Sequence, residues 1–177
     1  MIVKRAYKYR IYPNREQRNF FARTFGCVRL FYNTSLDDMN KLYKEKKEYK
    51  DITPASYKEQ FPFFKDVDSL ALSNAQLNRN KGFKAFFRGQ NNFPKYKAKR
   101  NKQSYSTNNQ NGTVYLSEDY RYISLPKIKN VRIKMHRKFK GVIKTVTVSK
   151  ECDNTYYVSI LVEENIETKS KTNKSVG

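Results

Sequence analysis

Three basic runs without any acidic residue carry most of the chemistry that this 177-residue sequence offers. They cover residues 4–10, 93–102 and 127–144, and the second run interleaves Phe93 and Tyr96 with lysines. Lysine and arginine bind phosphates with release of counterions, and aromatic rings stack on unpaired bases. The runs therefore predict a surface that binds nucleic acid. The residues expected to contact phosphate or RNA are Lys8, Arg10, Lys95, Tyr96, Lys97, Lys99, Arg100, Lys127, Arg132, Lys134, Arg137 and Lys138.

Residue types that catalyse reactions are sparse by comparison. His136 is the one histidine, and its basic surroundings favour a phosphate contact over the role of general base. Cys27 and Cys152 are too few for a structural zinc site and are typical of reduced thiols in a cytosolic protein. The acidic residues are scattered, whereas a two-metal nuclease needs several that converge. We therefore expect a binding protein with no catalytic residue, metal site or cofactor of its own.

The overall charge points to the same class of partner. There are 37 Lys and Arg against 16 Asp and Glu, which gives a net charge of +21. Such a charge destabilises the compact state by self-repulsion unless a polyanion offsets it. No apolar run is long enough to span a bilayer, and no basic stretch forms a clean amphipathic helix that would lie on lipid. We therefore expect no membrane partner and a cytoplasmic, nucleoid-associated location.

The first half of the chain predicts one strand followed by helices. Period-2 alternation over residues 2–12 is typical of a strand. Asn14 and Gln17 have capping-box spacing, and apolar residues then recur every three or four positions until the charged run 44–50. A short helix is expected from Thr53-Pro54, and a third helix from Asp68 to a stop at Gly89.

The second half predicts short strands, and the two halves together predict an α+β fold. Strands are expected at residues 114–116, 122–125, 131–135, 142–149 and 155–163. Because a lone strand is unstable, the first strand must pair with these later ones. The sequence thus predicts a small β-barrel, residues 1–13 and 90–164, with a helical module, residues 14–89, inserted after the first strand. Residues 165–177 are expected to be a linker.

Several segments resemble the OrfB/TnpB family of transposon-encoded proteins, in the same order along nearly the whole chain. The matching segments are Lys8–Asn14, Cys27–Asn33, Ala71–Leu72, Phe83–Arg88, Asn92–Arg100, Gln103–Tyr105, Ile123–Ile128, Val131–Arg137 and Val146–Val148.

The resemblance implies a specific function. Proteins of this family are RNA-guided DNA endonucleases that begin with a β-barrel wedge domain interrupted by a helical recognition module. These parts bind the guide RNA and read a short motif that flanks the double-stranded DNA target. Cleavage, with its Mg²⁺, belongs to a later RuvC-like domain, which we expect to be absent because the sequence ends at Gly177. The chain is then a nucleic-acid-binding fragment and not itself an enzyme.

The resemblance also suggests which residues read the flanking DNA motif. In the family, one recognition helix presents side chains to the motif, and its counterpart here carries an unusual density of Ser, Asn and Gln. Asn74 or Gln76 could pair with adenine edges in the major groove, although a merely hydrated helix face has the same composition. The residues expected at the DNA motif are Lys4, Ser69, Ser73, Asn74, Gln76, Leu77, Thr107 and Asn111.

Two other functions stay open at this stage. The chain could be a natural nuclease-free regulator that binds DNA under RNA guidance. It could also be an autonomous helix-turn-helix DNA-binding protein with helices at 20–42 and 53–60, although the first helix is long for that motif and no tight turn follows it.

Overall fold

The computed structural model describes residues 1–48 and 51–167 and has the predicted α+β composition. A curled antiparallel sheet packs against two long helices that follow its first strand in the chain. The helices are α1, Arg15–Lys44, and α2, Ser69–Phe87. The strands are β1, Ile2–Tyr12; β2, Gln103–Asn108; β3, Tyr115–Leu116; β4, Tyr122–Leu125; β5, Ile128–Lys134; β6, Val142–Lys150; and β7, Tyr156–Asn165.

The N-terminal strand lies in the middle of the sheet. The strand order is β2-β6-β7-β1-β5-β4-β3, so β1 pairs with β7 on one side and β5 on the other. This confirms that β1 depends on strands from the far end of the chain. The expected closed barrel is instead an open half-barrel, since within the described residues the edge strands β2 and β3 do not pair. With only two residues, β3 is too short to form a ladder of hydrogen bonds with β2.

The alternation in β1 decides which face of the sheet is the core. Tyr9 and Ile11 are buried, while Lys8 and Arg10 are exposed. Val158 and Ile160 of β7 and Val131 and Ile133 of β5 continue the apolar face. The opposite face is therefore left to the basic side chains.

Helix α1 covers the apolar face of the sheet. Its capping box forms as predicted: Gln17 N donates to Asn14 Oδ1 at 2.8 Å, and Asn14 N donates to Gln17 Oε1 at 3.0 Å. Phe21 is fully buried, and its ring lies 6.3 Å from Tyr105 of β2 and 6.1 Å from Tyr156 of β7. Helix and sheet thus share one core.

The segment between the long helices differs in part from the prediction. The short helix expected at Thr53-Pro54 is a pair of 3₁₀ turns, Pro54–Tyr57 and Pro62–Asp66. Each turn has a proline in its first positions, and neither preceding residue makes a side-chain cap. Asp68 caps α2 as predicted by accepting from Leu70 N at 2.9 Å, and Gly89 follows its end with φ of +68°.

Strand β2 was not predicted. Its sequence, QSYSTN, is polar apart from one tyrosine, although Tyr105 and Thr107 both point into the core. The predicted division into a barrel and an inserted helical module remains a prediction, because α1 and α2 bury residues in the same core as the sheet. Of the expected linker, residues 168–177 lie outside the described residues.

Candidate nucleic-acid interface

The outer face of the sheet carries four cations, which we call the cationic sheet face: Lys8 and Arg10 of β1, with Arg132 and Lys134 of β5. All four are exposed. Arg10 lies directly opposite Lys134 in the β1–β5 ladder. Like charges directly opposite each other destabilise a strand pair. Within the described residues, Arg10, Arg132 and Lys134 form no ion pair, although Asp153 attracts Arg10 at longer range.

Tyrosines lie among these cations. The Lys8 ammonium sits 4.5 Å from the centre of the Tyr157 ring, and the Arg10 guanidinium 5.1 Å from that of Tyr12. Tyr12 is directly opposite Arg132 in the ladder. Its side chain is 43% exposed, which leaves ring surface for contact with a base.

The basic loop, residues 95–102, is attached to α1 by Asn33. The Asn33 amide donates to Lys97 O at 2.9 Å and accepts from Lys97 N at 2.8 Å. Tyr96 donates to Asp37 Oδ1 at 3.2 Å. The Lys97 ammonium lies 4.4 Å from the centre of the Tyr32 ring, and burial there lowers its pKa although much of the residue is exposed. The predicted contacts Lys95, Lys99 and Arg100 are exposed.

Gln103 shapes the same loop from its far end. Its amide donates to the carbonyls of Ala98, Lys99 and Asn101, and its oxygen accepts from Arg29 Nη1 at 2.5 Å. Sequence reasoning assigned no role to Arg29, Asn33 or Gln103. The available signal was their position in the family-like segments 27–33 and 103–105.

Glu151 joins the basic loop to the cationic sheet face. Its Oε1 lies 2.5 Å from the Lys102 ammonium and 3.7 Å from that of Lys8. The hydrogen bond from Lys102 is the main reason why the pKa of Glu151 is lowered. The two regions therefore form one continuous basic surface with a single bridging carboxylate between Lys8 and Lys102.

The remaining predicted phosphate contacts of the third run follow β5. Arg137 and Lys138 are exposed, and the Lys138 ammonium lies 4.6 Å from the centre of the Tyr120 ring. His136 is also exposed and packs on Tyr9, with ring centres 5.2 Å apart. This packing agrees with a spacer or phosphate contact for His136.

A second basic site, the α2 cleft, lies between the 3₁₀ turns and α2. The cleft has a volume of about 440 Å³, within the roughly 300–1,000 Å³ of ligand sites. Ser69, Ser73 and Gln76 line it from α2, and three of the lining residues are cations: Lys58, Lys65 and Lys127. Lys127 donates to the carbonyl of Lys65 at 2.5 Å, which fixes it at the rim. The structure thus brings three of the residues predicted for the DNA motif together with one predicted for phosphate.

The other residues predicted for the DNA motif lie outside this cleft. Leu77 follows Gln76 in α2 and is 53% exposed outside the cleft. Asn74 uses its amide nitrogen to hold α2 against β2, donating to Leu70 O, Ser106 O and Asn108 Oδ1. Lys4 is paired with Glu163 at 3.6 Å, and Asn111 is exposed in the loop after β2 with φ of +53°.

Thr107 differs from the expectation. It is completely buried, because its position in β2 alternates in phase with Tyr105 and faces the core. Its hydroxyl lies beside Asp68, where neither Thr107 Oγ1 nor Asp68 Oδ2 has a hydrogen-bond partner of good geometry. Burial raises the pKa of Asp68, and the neighbouring Thr107 hydroxyl offsets part of that rise. Thr107 therefore supports the base of α2 and does not reach the surface.

Residues 1–48 and 51–167 contain no group of three or more His, Cys, Asp or Glu placed to hold a metal ion. In the same ranges, neither long helix combines the length and hydropathy that crossing a bilayer requires.

Comparison with known proteins agrees with the resemblance read from the sequence. Residues 1–48 match a family described as a helix-turn-helix domain of the OrfB type of IS605 elements. A Streptomyces pristinaespiralis protein named as an RNA-guided DNA endonuclease is 28% identical over 182 residues, which cover 99% of this chain and 45% of that protein. The similarly named InsQ of Escherichia coli is 28% identical over 176 residues, covering 92% of this chain and 41% of InsQ. The chain spans less than half the length of these relatives.

The matched range does not contain two helices joined by a turn. Residues 1–48 form β1 and the single uninterrupted helix α1.

Proposed function

We propose that this chain, which is 28% identical to two proteins named as RNA-guided DNA endonucleases, binds guide RNA and reads a short DNA motif that flanks the target. In this proposal the guide RNA scaffold lies on the cationic sheet face and the basic loop. The DNA motif enters the α2 cleft. The chain then serves as the wedge and recognition part of an RNA-guided DNA endonuclease.

The observation that carries the proposal is that three of the four cations of the cationic sheet face, Arg10, Arg132 and Lys134, have no ion pair among the described residues. Arg10 faces Lys134 across the ladder, and Arg132 lies on the same side of β5. A sheet that only needed solubility would gain stability by placing an acid opposite Arg10, as Glu163 lies opposite Lys4. A phosphate backbone lying along β1 and β5 would neutralise these charges with release of counterions.

The two surfaces suit different forms of nucleic acid. Exposed tyrosines among the cations suit unpaired bases, which stack on aromatic rings, so this surface is assigned to RNA with single-stranded parts. The α2 cleft has amide and hydroxyl groups on a helix with lysines at its rim. That combination suits base edges in a major groove with phosphates alongside.

Cleavage is assigned to the part of the relatives that this chain does not match. In the proposal, the Mg²⁺ and the nuclease acids belong there, and residues 1–13 and 90–164 act as the wedge while 14–89 act as the recognition module. The chain covers 45% and 41% of the two relatives, which leaves more than half of each for this part.

Binding experiments test the proposal directly. The 177-residue chain should bind a structured RNA with an adjacent single strand more tightly than a random duplex DNA of equal length, and both affinities should fall steeply from about 0.05 to 0.2 M salt. With Mg²⁺ present, DNA should stay intact. Equal affinity for the two polymers would favour the autonomous DNA-binding protein. Failure to bind either polymer at 0.05 M salt would refute the proposal.

A further inference from the structure

The side-chain amide of Gln76 lies in the α2 cleft, and a hydrogen bond fixes its orientation. Gln76 lines the cleft, and its Nε2 donates to Asp51 Oδ2 at 3.0 Å. A carboxylate accepts hydrogen bonds and donates none, so it determines which end of the amide faces it. Among the described residues, no donor is paired with Gln76 Oε1. The oxygen is therefore the end left for the cleft.

Asp51 is itself held in place by a buried arginine. Arg79 is completely buried, and its Nη2 donates to Asp51 Oδ1 at 3.1 Å while its Nη1 donates to Ile52 O at 2.9 Å. A buried charge needs a partner, so Arg79 keeps the Oδ1 side of Asp51 occupied. Oδ2 remains for Gln76. The carboxylate thus sets the direction of the amide, and Arg79 sets which of its oxygens Gln76 meets.

The hydroxyl of Ser73, one turn before Gln76 on α2, also presents a hydrogen-bond acceptor to the cleft. Ser73 Oγ donates to Ser69 O one turn back at 3.1 Å, so its lone pairs face outward. The charged donors of the cleft are the lysines at its rim, Lys58, Lys65 and Lys127. Beside Gln76 the helix therefore presents acceptors to the cleft, while the lysines of the rim donate.

From this geometry we propose that Gln76, oriented by Asp51, makes the α2 cleft select a base with an exocyclic amino group, adenine or cytosine, over guanine or thymine. In the major groove adenine N6 and cytosine N4 donate, whereas guanine O6 and thymine O4 accept. Gln76 Oε1 accepts from the first pair and is repelled by the second. Nε2 keeps a second N–H beside the one donated to Asp51, so a bidentate contact with adenine N6 and N7 is compatible with this orientation. The proposal rests on the assignment of this cleft to duplex DNA.

The experiment selects duplexes from a library with a randomised segment, using the 177-residue chain. We expect one position that favours adenine and cytosine by about fivefold, the value of one net hydrogen bond. Gln76→Met should reduce that preference below about twofold. Asn78→Met is the matched control, since Asn78 is an exposed amide of the same helix outside the cleft, and it should leave the preference unchanged.

A second variant tests the orientation itself. In Asp51→Asn the Oδ1 position still faces two donors, Arg79 Nη2 and Asn80 Nδ2, so the amide oxygen stays there. The new amide nitrogen then faces Gln76 and turns the Gln76 Nε2 into the cleft. The preference should then shift to guanine or thymine, provided that the melting temperature shows a folded protein. Replacing the preferred adenine by purine, which lacks the amino group, should cost wild type about fivefold and Gln76→Met nothing.

The outcomes separate this inference from the proposed function. Binding of duplex DNA without an amino preference, or a preference that Gln76→Met retains, overturns the inference and leaves DNA binding intact. A purine substitution that wild type tolerates also overturns it. Failure to bind any duplex refutes the DNA part of the proposed function and this inference with it.

Discussion

The cationic sheet face and the α2 cleft are both basic, but they hold their polar groups in different ways. On the sheet face, long flexible cations stand on a rigid ladder, and no described hydrogen bond fixes the ends of Arg10, Arg132 or Lys134. In the cleft, Gln76 is fixed by Asp51 and Lys127 by the carbonyl of Lys65. Flexible charges neutralise phosphates in any sequence, whereas fixed dipoles distinguish one base edge from another. The contrast assigns affinity to the sheet and specificity to the cleft.

The largest effect is expected when the sheet face loses its charge. The triple substitution Arg10→Gln, Arg132→Gln and Lys134→Gln should weaken RNA binding about tenfold or more and reduce the salt slope by about 2. The melting temperature should stay the same or rise, because the Arg10–Lys134 repulsion disappears. Filter binding over a salt series and thermal melting measure the two quantities.

A control with the same change in net charge shows whether position matters. Lys41→Gln, Lys47→Gln and Arg5→Gln remove three exposed cations that already have acidic partners and lie outside the cationic sheet face. We expect less than a threefold loss of RNA affinity from this triple variant. Equal losses in the two triple variants would mean that net charge alone drives binding and that the sheet face is not special.

An intermediate effect is expected from Asn33→Ala, which releases the basic loop from α1. Both hydrogen bonds to the backbone of Lys97 are lost, which costs about 1 kcal/mol. RNA affinity should fall about threefold to tenfold, because the released loop of the variant loses more conformational entropy on binding than the ordered loop of the wild type. Trypsin should cut within residues 95–102 faster than in wild type, and Asn40→Ala on the same helix is the control. Unchanged digestion would show that Asn33 does not hold the loop.

A smaller effect, on stability, is expected beneath the cleft. Asp68→Asn keeps the cap on Leu70 N and removes a buried carboxylate with an unpartnered oxygen, so the melting temperature at pH 7 should rise by about 2–4 °C. Asp68→Ala, which removes the cap, is the contrasting control and should melt below Asp68→Asn.

The pH dependence of Asp68→Asn follows from the raised pKa of Asp68. The native carboxyl binds its proton at higher pH than the unfolded one, so this group stabilises the fold as pH falls through its native pKa towards the ordinary 3.8. The advantage of Asp68→Asn over wild type should therefore shrink on acidification. An advantage that grows at lower pH would contradict the sign of the shift.

The smallest effect is expected from Glu151→Gln at the junction of loop and sheet face. Removing the carboxylate between Lys8 and Lys102 frees both cations for phosphate. RNA affinity should rise about twofold at low salt and not at high salt, with an unchanged melting temperature. Glu118→Gln, in an exposed turn, is the control for charge alone.

Local signals in the sequence predicted the elements well. The Asn14–Gln17 capping box, the helical period of α1 and the alternation of β1 are all present as predicted, because each depends on residues close in the chain. Strand β2 was missed because its polar sequence offers little β-propensity, and only pairing with β6 makes it a strand. The open edge of the sheet depends on the shortness of β3, for which there is no local signal.

The candidate site was predictable in composition and not in arrangement. The basic runs identified the charged surfaces, and the density of Ser, Asn and Gln identified α2. The roles of Asn33 and Asp51 depend on contacts across 64 and 25 residues of chain, which no periodicity reveals. Asn74 shows a contact of the same kind: the amide nitrogen of this residue, predicted at the DNA motif, packs α2 on β2.

The two cysteines differ in exposure, which allows binding at the basic loop to be followed with a label. Cys27 is buried in α1, whereas Cys152 is exposed in the turn after β6, with its sulfur 3.7 Å from Arg100 O in the basic loop. A maleimide dye should therefore attach at Cys152 under native conditions and leave Cys27 unlabelled. The chain thus carries its own attachment point for a fluorescent reporter at the border between loop and sheet.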